Sequence, residues 1–271
     1  NVISGTLTFD GTGLSQFNTV SGDIWVATTS ASGANLVLQD TSVSGSGNYL
    51  AIARGSGTTG LTSTCTLTNS TLTTGNLSLG YANGVAGYLA TSVLTLNDST
   101  YTMTGINRLG ESGGATGTVN LNGASHMTSG DTNIAQDGGS KGTLNVNDTS
   151  VYTSNNRLQV GPAAGSIGNV VIRNSGSMTV NAYVSVGFNG GGSMTVMDNG
   201  SFSNNDDFSV NESGDVPATL TLQDSGTMSI GGQVFVGRNT GRVGTVTQTG
   251  GPFTAAAANE FQIGKYGTGS W

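Results

Sequence analysis

Apolar residues two apart, set among Thr, Ser, Asn and Gly, recur along the whole chain. The first member of each leading pair falls at 7, 36, 65, 94, 119, 144, 170, 194, 220 and 246, in steps of 29, 29, 29, 25, 25, 26, 24, 26 and 26 residues. Alternation of this kind predicts a short strand with one buried face. Its return every 26 residues or so makes the chain an internal repeat, and a repeat of that length predicts a solenoid, a propeller or an array.

Superposing the ten copies assigns a task to each position. The first column reads Leu7, Leu36, Cys65, Leu94, Val119, Leu144, Val170, Met194, Leu220 and Val246, and the column two later is apolar from Phe9 to Leu222 and polar only at Gln248. Two positions on, every copy carries Gly, Asn or Asp: Gly11, Asp40, Asn69, Asp98, Gly123, Asp148, Asn174, Asp198, Asp224 and Gly250. These residues tolerate a left-handed backbone, so the coil is expected to turn there. A second short strand follows, as in Met178-Thr-Val180, and then a third, as in Val184-Ser-Val186-Gly187 and Val234-Phe-Val236-Gly237. The third strand closes on Gly or Ala in nine of ten copies, which predicts another tight corner.

Three short strands and three corners per repeat, with no helical segment, describe an all-β, single-stranded, right-handed parallel β-helix. About ten coils of 24–29 residues make residues 1–271 one continuous domain. A propeller blade needs about 40 to 50 residues, and a left-handed helix needs a shorter, more uniform repeat. Trp271 falls 25 residues after Val246, where the next first strand begins, so the chain reads as a fragment of a longer one.

Composition follows from the stacking. Each residue of a parallel stack lies about 5 Å from its column-mates, so like charges repel and neutral Thr, Ser and Asn ladders avoid the cost. Only 8% of the residues are charged and 45 are Gly. The net charge of −7 argues against nucleic acid as a partner. No window is apolar over the 18 to 20 or so residues of a membrane helix, which excludes membrane insertion by such a segment. The single cysteine, Cys65, permits no internal disulfide and occupies a core column.

The runs "GTVTQTGGPFTAAAANEFQIGKYGTGSW", "GSMTVMDNGSFS" and "ATLTLQDSGTMSIGGQVFVGRNTG" resemble the Gly/Thr-rich repeats of bacterial autotransporter passengers, in particular those associated with type V secretion and PEP-CTERM surface proteins. The resemblance is clearest over 169–271. It implies a secreted or cell-surface β-helix with an adhesive or surface-matrix role. The expected partners are the chain itself, stacked end to end into fibres or packed side by side, or surface glycans. The alternative is a polysaccharide-binding or polysaccharide-degrading β-helix.

Catalytic constellations are not evident, and no catalytic residue is assigned. His126 is the only histidine, and its expected column-mates Tyr101 and Val151 offer no acid to orient it. Asp131 and Arg157 share an outward column on adjacent coils and read as a cross-coil ion pair. Asp206, Asp207, Glu212 and Asp215 cluster in the eighth coil. They read first as a solvated acidic corner, with a Ca²⁺ site as the alternative and no other cofactor expected. The outward face of the third strand gathers aromatic and charged residues, and Trp25, Tyr49, Tyr183 and Phe235 are the candidate contacts for a glycan or partner. The loops opening at Arg54, "RGSGTTGLTST", and at Tyr81, "YANGVAGYLATSV", are the longest and are expected to carry what is specific.

Overall fold

The chain coils into a parallel β-solenoid, seen in a computed structural model that describes residues 2, 4–12, 21–27, 33–55, 61–81, 89–256 and 260–271. Among these residues there is no helix, and the number of coils is close to the ten expected. The first strands of successive coils stack into an eleven-stranded sheet. Its register joins Leu7 to Leu36, Leu36 to Cys65, Cys65 to Leu94 and onward to Leu220 with Val246, so the expected core column is one ladder, buried from Leu36 to Val246 and exposed at Leu7. The second and third strands stack in the same way along the other sides.

Corners fall where Gly, Asn, Asp and Ala predict them. Asp40, Asn69, Asp98, Asp148, Asn174, Asp198 and Asp224 all have φ between 47° and 59°. At this corner neighbouring coils hold one another: Asp98 accepts from the Ala124 amide at 2.9 Å, and Asn174 donates to Asp148 at 3.0 Å. The third-strand corner is left-handed in all ten coils, from Ala27 to Gly264, with Asn211 taking the place of Gly or Ala in the eighth. The first strand that follows passes so close to this corner that a Cβ at Gly142 would collide with the Ala135 amide nitrogen. Glycine is needed there for close approach rather than for its φ.

Large side chains fill the interior from the second strand, where Leu72, Tyr101, Met127, Tyr152, Met178, Phe202 and Met228 stack in register. Two of them bring hydroxyls into the core. Tyr152 Oη lies 2.7 Å from Asn107 Nδ2, 2.7 Å from Thr132 Oγ1 and 3.0 Å from Ser129 Oγ, and Tyr101 Oη lies 2.7 Å from Thr74 Oγ1. Asn107 and Thr132 interrupt the apolar pattern of the third strand because they partner a buried phenol.

Two expectations of position are corrected. His126 pairs with Thr100 and Val151 and is exposed, while Tyr101 pairs with Met127 and is buried. The slip arises because the first corner takes two steps from Asp98 to Thr100 but three from Gly123 to His126. Phe235 does leave its strand on the outer side, yet it is only 1% exposed, because Arg238 lies over its ring at 4.3 Å.

Candidate functional site

Three columns run side by side along the third strand. The outward residue of the strand forms a floor: Ala51, Ser78, Ser185, Ser209 and Phe235 are all buried, although each faces away from the core. One wall is the residue two before the floor, which includes Tyr49, Asp131, Arg157, Tyr183 and Asp207. The other wall follows the left-handed corner and reads Arg54, Tyr81, Glu111, Gln136, Pro162, Phe188, Glu212, Arg238 and Lys265. Because the corner reverses the chain just after the floor residue, the third residue on rises beside it. The flank is thus a trough that follows the axis of the solenoid.

Side-chain variety is concentrated here. Among the described residues all four ion pairs lie on this flank: Arg54–Asp23 at 3.9 Å, Arg108–Glu111 at 3.6 Å, Arg157–Asp131 at 3.7 Å and Arg238–Glu212 at 3.0 Å. The cation–aromatic contacts of Arg54 with Trp25 and Tyr81, of Arg238 with Phe235, and of Lys265 with Phe235 and Tyr266 lie here as well. By contrast, the outer face of the first strand is built mostly of neutral ladders, such as Asn145 to Asn120 at 2.8 Å and Ser193 to Asn169 at 2.7 Å, with Asp10 and Lys141 as charged exceptions.

The trough is open over the second to fourth coils. There a cavity of 180 Å³ is lined by Tyr49, Arg54, Ser78, Tyr81, Arg108 and Glu111. Glu111 accepts a hydrogen bond from the Ser78 hydroxyl. Burial raises its pKa above the ordinary glutamate value, while Ser78 and Arg108 pull it back. Asp137, one coil further, is also raised by burial.

The trough is closed over the seventh and eighth coils. Tyr183 reaches across the floor to donate to Glu212, which also accepts from Arg238 at 3.0 Å. Burial raises the Tyr183 pKa, and its bond to Glu212 raises it further. Ser185 Oγ and Ser209 Oγ lie buried on the floor here without a hydrogen-bond partner in the protein.

The candidate contact residues divide between these regions. Trp25, half-buried, stacks on Arg54 at 5.0 Å, and Tyr49 lines the cavity; Tyr183 and Phe235 belong to the closed end. The expected ion pair of Asp131 with Arg157 is present. The four acids of the eighth coil are not brought together. Glu212 is bonded to Tyr183 and Arg238, while Asp207 accepts the Gln233 amide at 2.8 Å and Asp206 accepts that of Asp207 at 2.8 Å. Among the described residues no three of His, Cys, Asp and Glu converge as metal ligands would. Cys65 is buried in the core, which pushes its thiol up to about 12. Sequence reasoning missed Arg54, Tyr81 and Glu111 as wall residues. The signal was available in the residue after each third-strand corner, a column where charge and aromatics vary from coil to coil.

No protein-family model matches this chain, and no curated protein matches it. Among solved structures it is similar to the TibC-catalyzed hyper-glycosylated TibA55-350 fragment, with 16% identity over 96% of this chain and 99% of that one and a TM-score of 0.17. The fold assignment rests on the strand register above and not on this likeness. Among the described residues no helix is long and apolar enough to cross a membrane.

Proposed function

We propose that this solenoid is an extracellular or cell-surface adhesive protein that binds glycans, without cleaving them, along the third-strand flank. One observation carries the reading: among the described residues the ion pairs and cation–aromatic contacts gather along a single trough that opens into a pocket, while the outward side of the first strand is made mostly of neutral ladders. Tyrosines beside hydrogen-bonding groups suit the apolar face and hydroxyl rim of a sugar ring. A regular stack also presents such groups at intervals of about 4.8 Å, commensurate with a chain laid along the axis. The neutral ladders give the rod stiffness without like-charge repulsion.

A glycan array probed with the wild-type protein and with Tyr81→Ala tests this. Binding to a defined set of glycans that falls at least tenfold in the variant is the expected result. Absence of binding to any glycan would remove the proposal, and release of shortened oligosaccharides would replace binding by catalysis.

A second reading, self-stacking, has its own observation. The last coil presents Phe261 at 44% exposure and Trp271 at 42%, in edge contact with Phe253 at ring distances of 6.0 and 4.8 Å. Such an apolar rung offers a surface on which a coil of another copy would stack. Electron microscopy at high protein concentration separates the cases: axial filaments support self-stacking, and monodisperse short rods reject it.

A further inference from the structure

We infer that the open pocket takes a carboxylate-bearing sugar, a uronic-acid unit of an acidic glycan, between the guanidinium groups of Arg54 and Arg108. The inference rests on the glycan reading above and narrows its ligand class. Both arginines line the cavity, and each carries five N–H donors in a rigid fork. Among the described residues, neither donates a hydrogen bond. Their carboxylate neighbours stand off, Asp23 at 3.9 Å from Arg54 and Glu111 at 3.6 Å from Arg108, beyond ordinary bonding reach. At the closed end of the same trough, Arg238 does bond its acid, at 3.0 Å.

The two acids of the pocket are engaged elsewhere. Asp23 accepts the Tyr49 amide at 2.9 Å and the Trp25 indole N–H at 3.1 Å, and Glu111 accepts the Ser78 hydroxyl. Acceptors are therefore used while donors are left over. Arg54 is held in place by ring contacts that use none of its donors, 5.0 Å from the ring of Trp25 and 5.0 Å from that of Tyr81. What the pocket lacks is a planar acceptor with two oxygens, and a ligand carboxylate is one. Charge agrees with this: two of the eight cationic residues of a chain with net charge −7 line one cavity that holds a single lining acid. Tyr49 and Tyr81 supply the faces on which the sugar ring rests.

Oligosaccharides of galacturonate, glucuronate and mannuronate, each also as its methyl ester, make the test, because esterification removes the charge and keeps the shape. At least one free acid is expected to bind tenfold or more tightly than its ester by calorimetry. In the Arg54→Gln/Arg108→Gln double variant that preference disappears, with circular dichroism and melting temperature serving as controls for folding. Equal binding of acid and ester, or a preference that survives in the double variant, overturns the inference. Binding of neutral glycans alone also overturns it while leaving the glycan reading in place. Binding of no glycan at all removes both.

Discussion

The two regions of the trough are made from the same three columns, yet one is open and the other roofed. The difference lies in a single step across the floor. Tyr183 of the seventh coil faces Glu212 one coil on and bonds to it, so Ser185 and Ser209 are sealed beneath. Tyr49 of the second coil faces Tyr81 instead, and the acid that lines the cavity, Glu111, turns to Ser78 and Arg108 on the floor side. In a solenoid each rung is fixed by its own backbone register, so a wall residue can change without disturbing the stack. Adjacent coils can therefore carry unrelated surface chemistry on one unchanged frame.

The largest way to break the comparison is at Phe235. Its ring is buried beneath Arg238 and Lys265, so Phe235→Ala is expected to cost about 2–4 kcal/mol in denaturant unfolding, toward the lower end of large-to-small core changes because the roof can settle. Tyr81→Ala, at the rim of a cavity that is already open, is expected to cost less than about 1 kcal/mol. Comparable losses at both sites would show that the open region is packed as tightly as the closed one.

Arginine replacement tests the same contrast at smaller scale. Arg238→Gln loses a charge-assisted hydrogen bond at 3.0 Å from a side chain 32% exposed, worth about 1 kcal/mol after solvent screening. Arg54→Gln loses no hydrogen bond, only a 3.9 Å ion contact and the two ring contacts at 5.0 Å, and is expected to cost less than about 1 kcal/mol. Hydrogen exchange adds a local readout: the amides around Ser185 and Ser209 should exchange faster in Arg238→Gln and stay protected in Arg54→Gln. Protection that persists in both would mean the Tyr183–Glu212 bond holds the roof alone.

The frame was legible in the sequence because stacking repeats one physical demand in every coil. Leu36 through Val246 share a column since each must bury the same face, and Asp40 through Asp224 share one since each must turn left-handed. The trough was half legible. Trp25, Tyr49, Tyr183 and Phe235 stood out as aromatics at outward positions, and the two long loops stood out as well, though not Arg54 and Tyr81, the wall residues at which they open. Residues 56–60 and 82–88 within those loops lie outside the described residues. Alternation specifies only in or out, so it could not tell that an outward floor is covered by walls from its own and the next coil. That is why Phe235 was expected on the surface. His126 was misplaced for a related reason: one extra residue in the first corner of the fifth coil flips the pairing, and no apolar residue marks the insertion. The polar third-strand residues Asn107 and Thr132 make sense only beside Tyr152, which comes from another strand and another coil.

Protonation offers the finest test of what separates the two regions. Glu111 has its pKa raised from 4.5 mainly by burial, so its protonated form is favoured in the folded state relative to the unfolded chain. The folded state then holds the proton to higher pH. Its contribution to stability is fully present below the ordinary glutamate range and is lost as pH rises through the raised folded value. In Glu111→Gln that decline should vanish, because the neutral amide occupies the same place without ionising, and the stability curves of the two proteins should diverge upward from about pH 4.5. Denaturant midpoints measured between pH 4 and 8 read the divergence directly. Parallel curves would mean that Ser78 and Arg108 compensate burial completely and that the open pocket carries a fully ionised acid through this range, as an ordinary surface ion pair does.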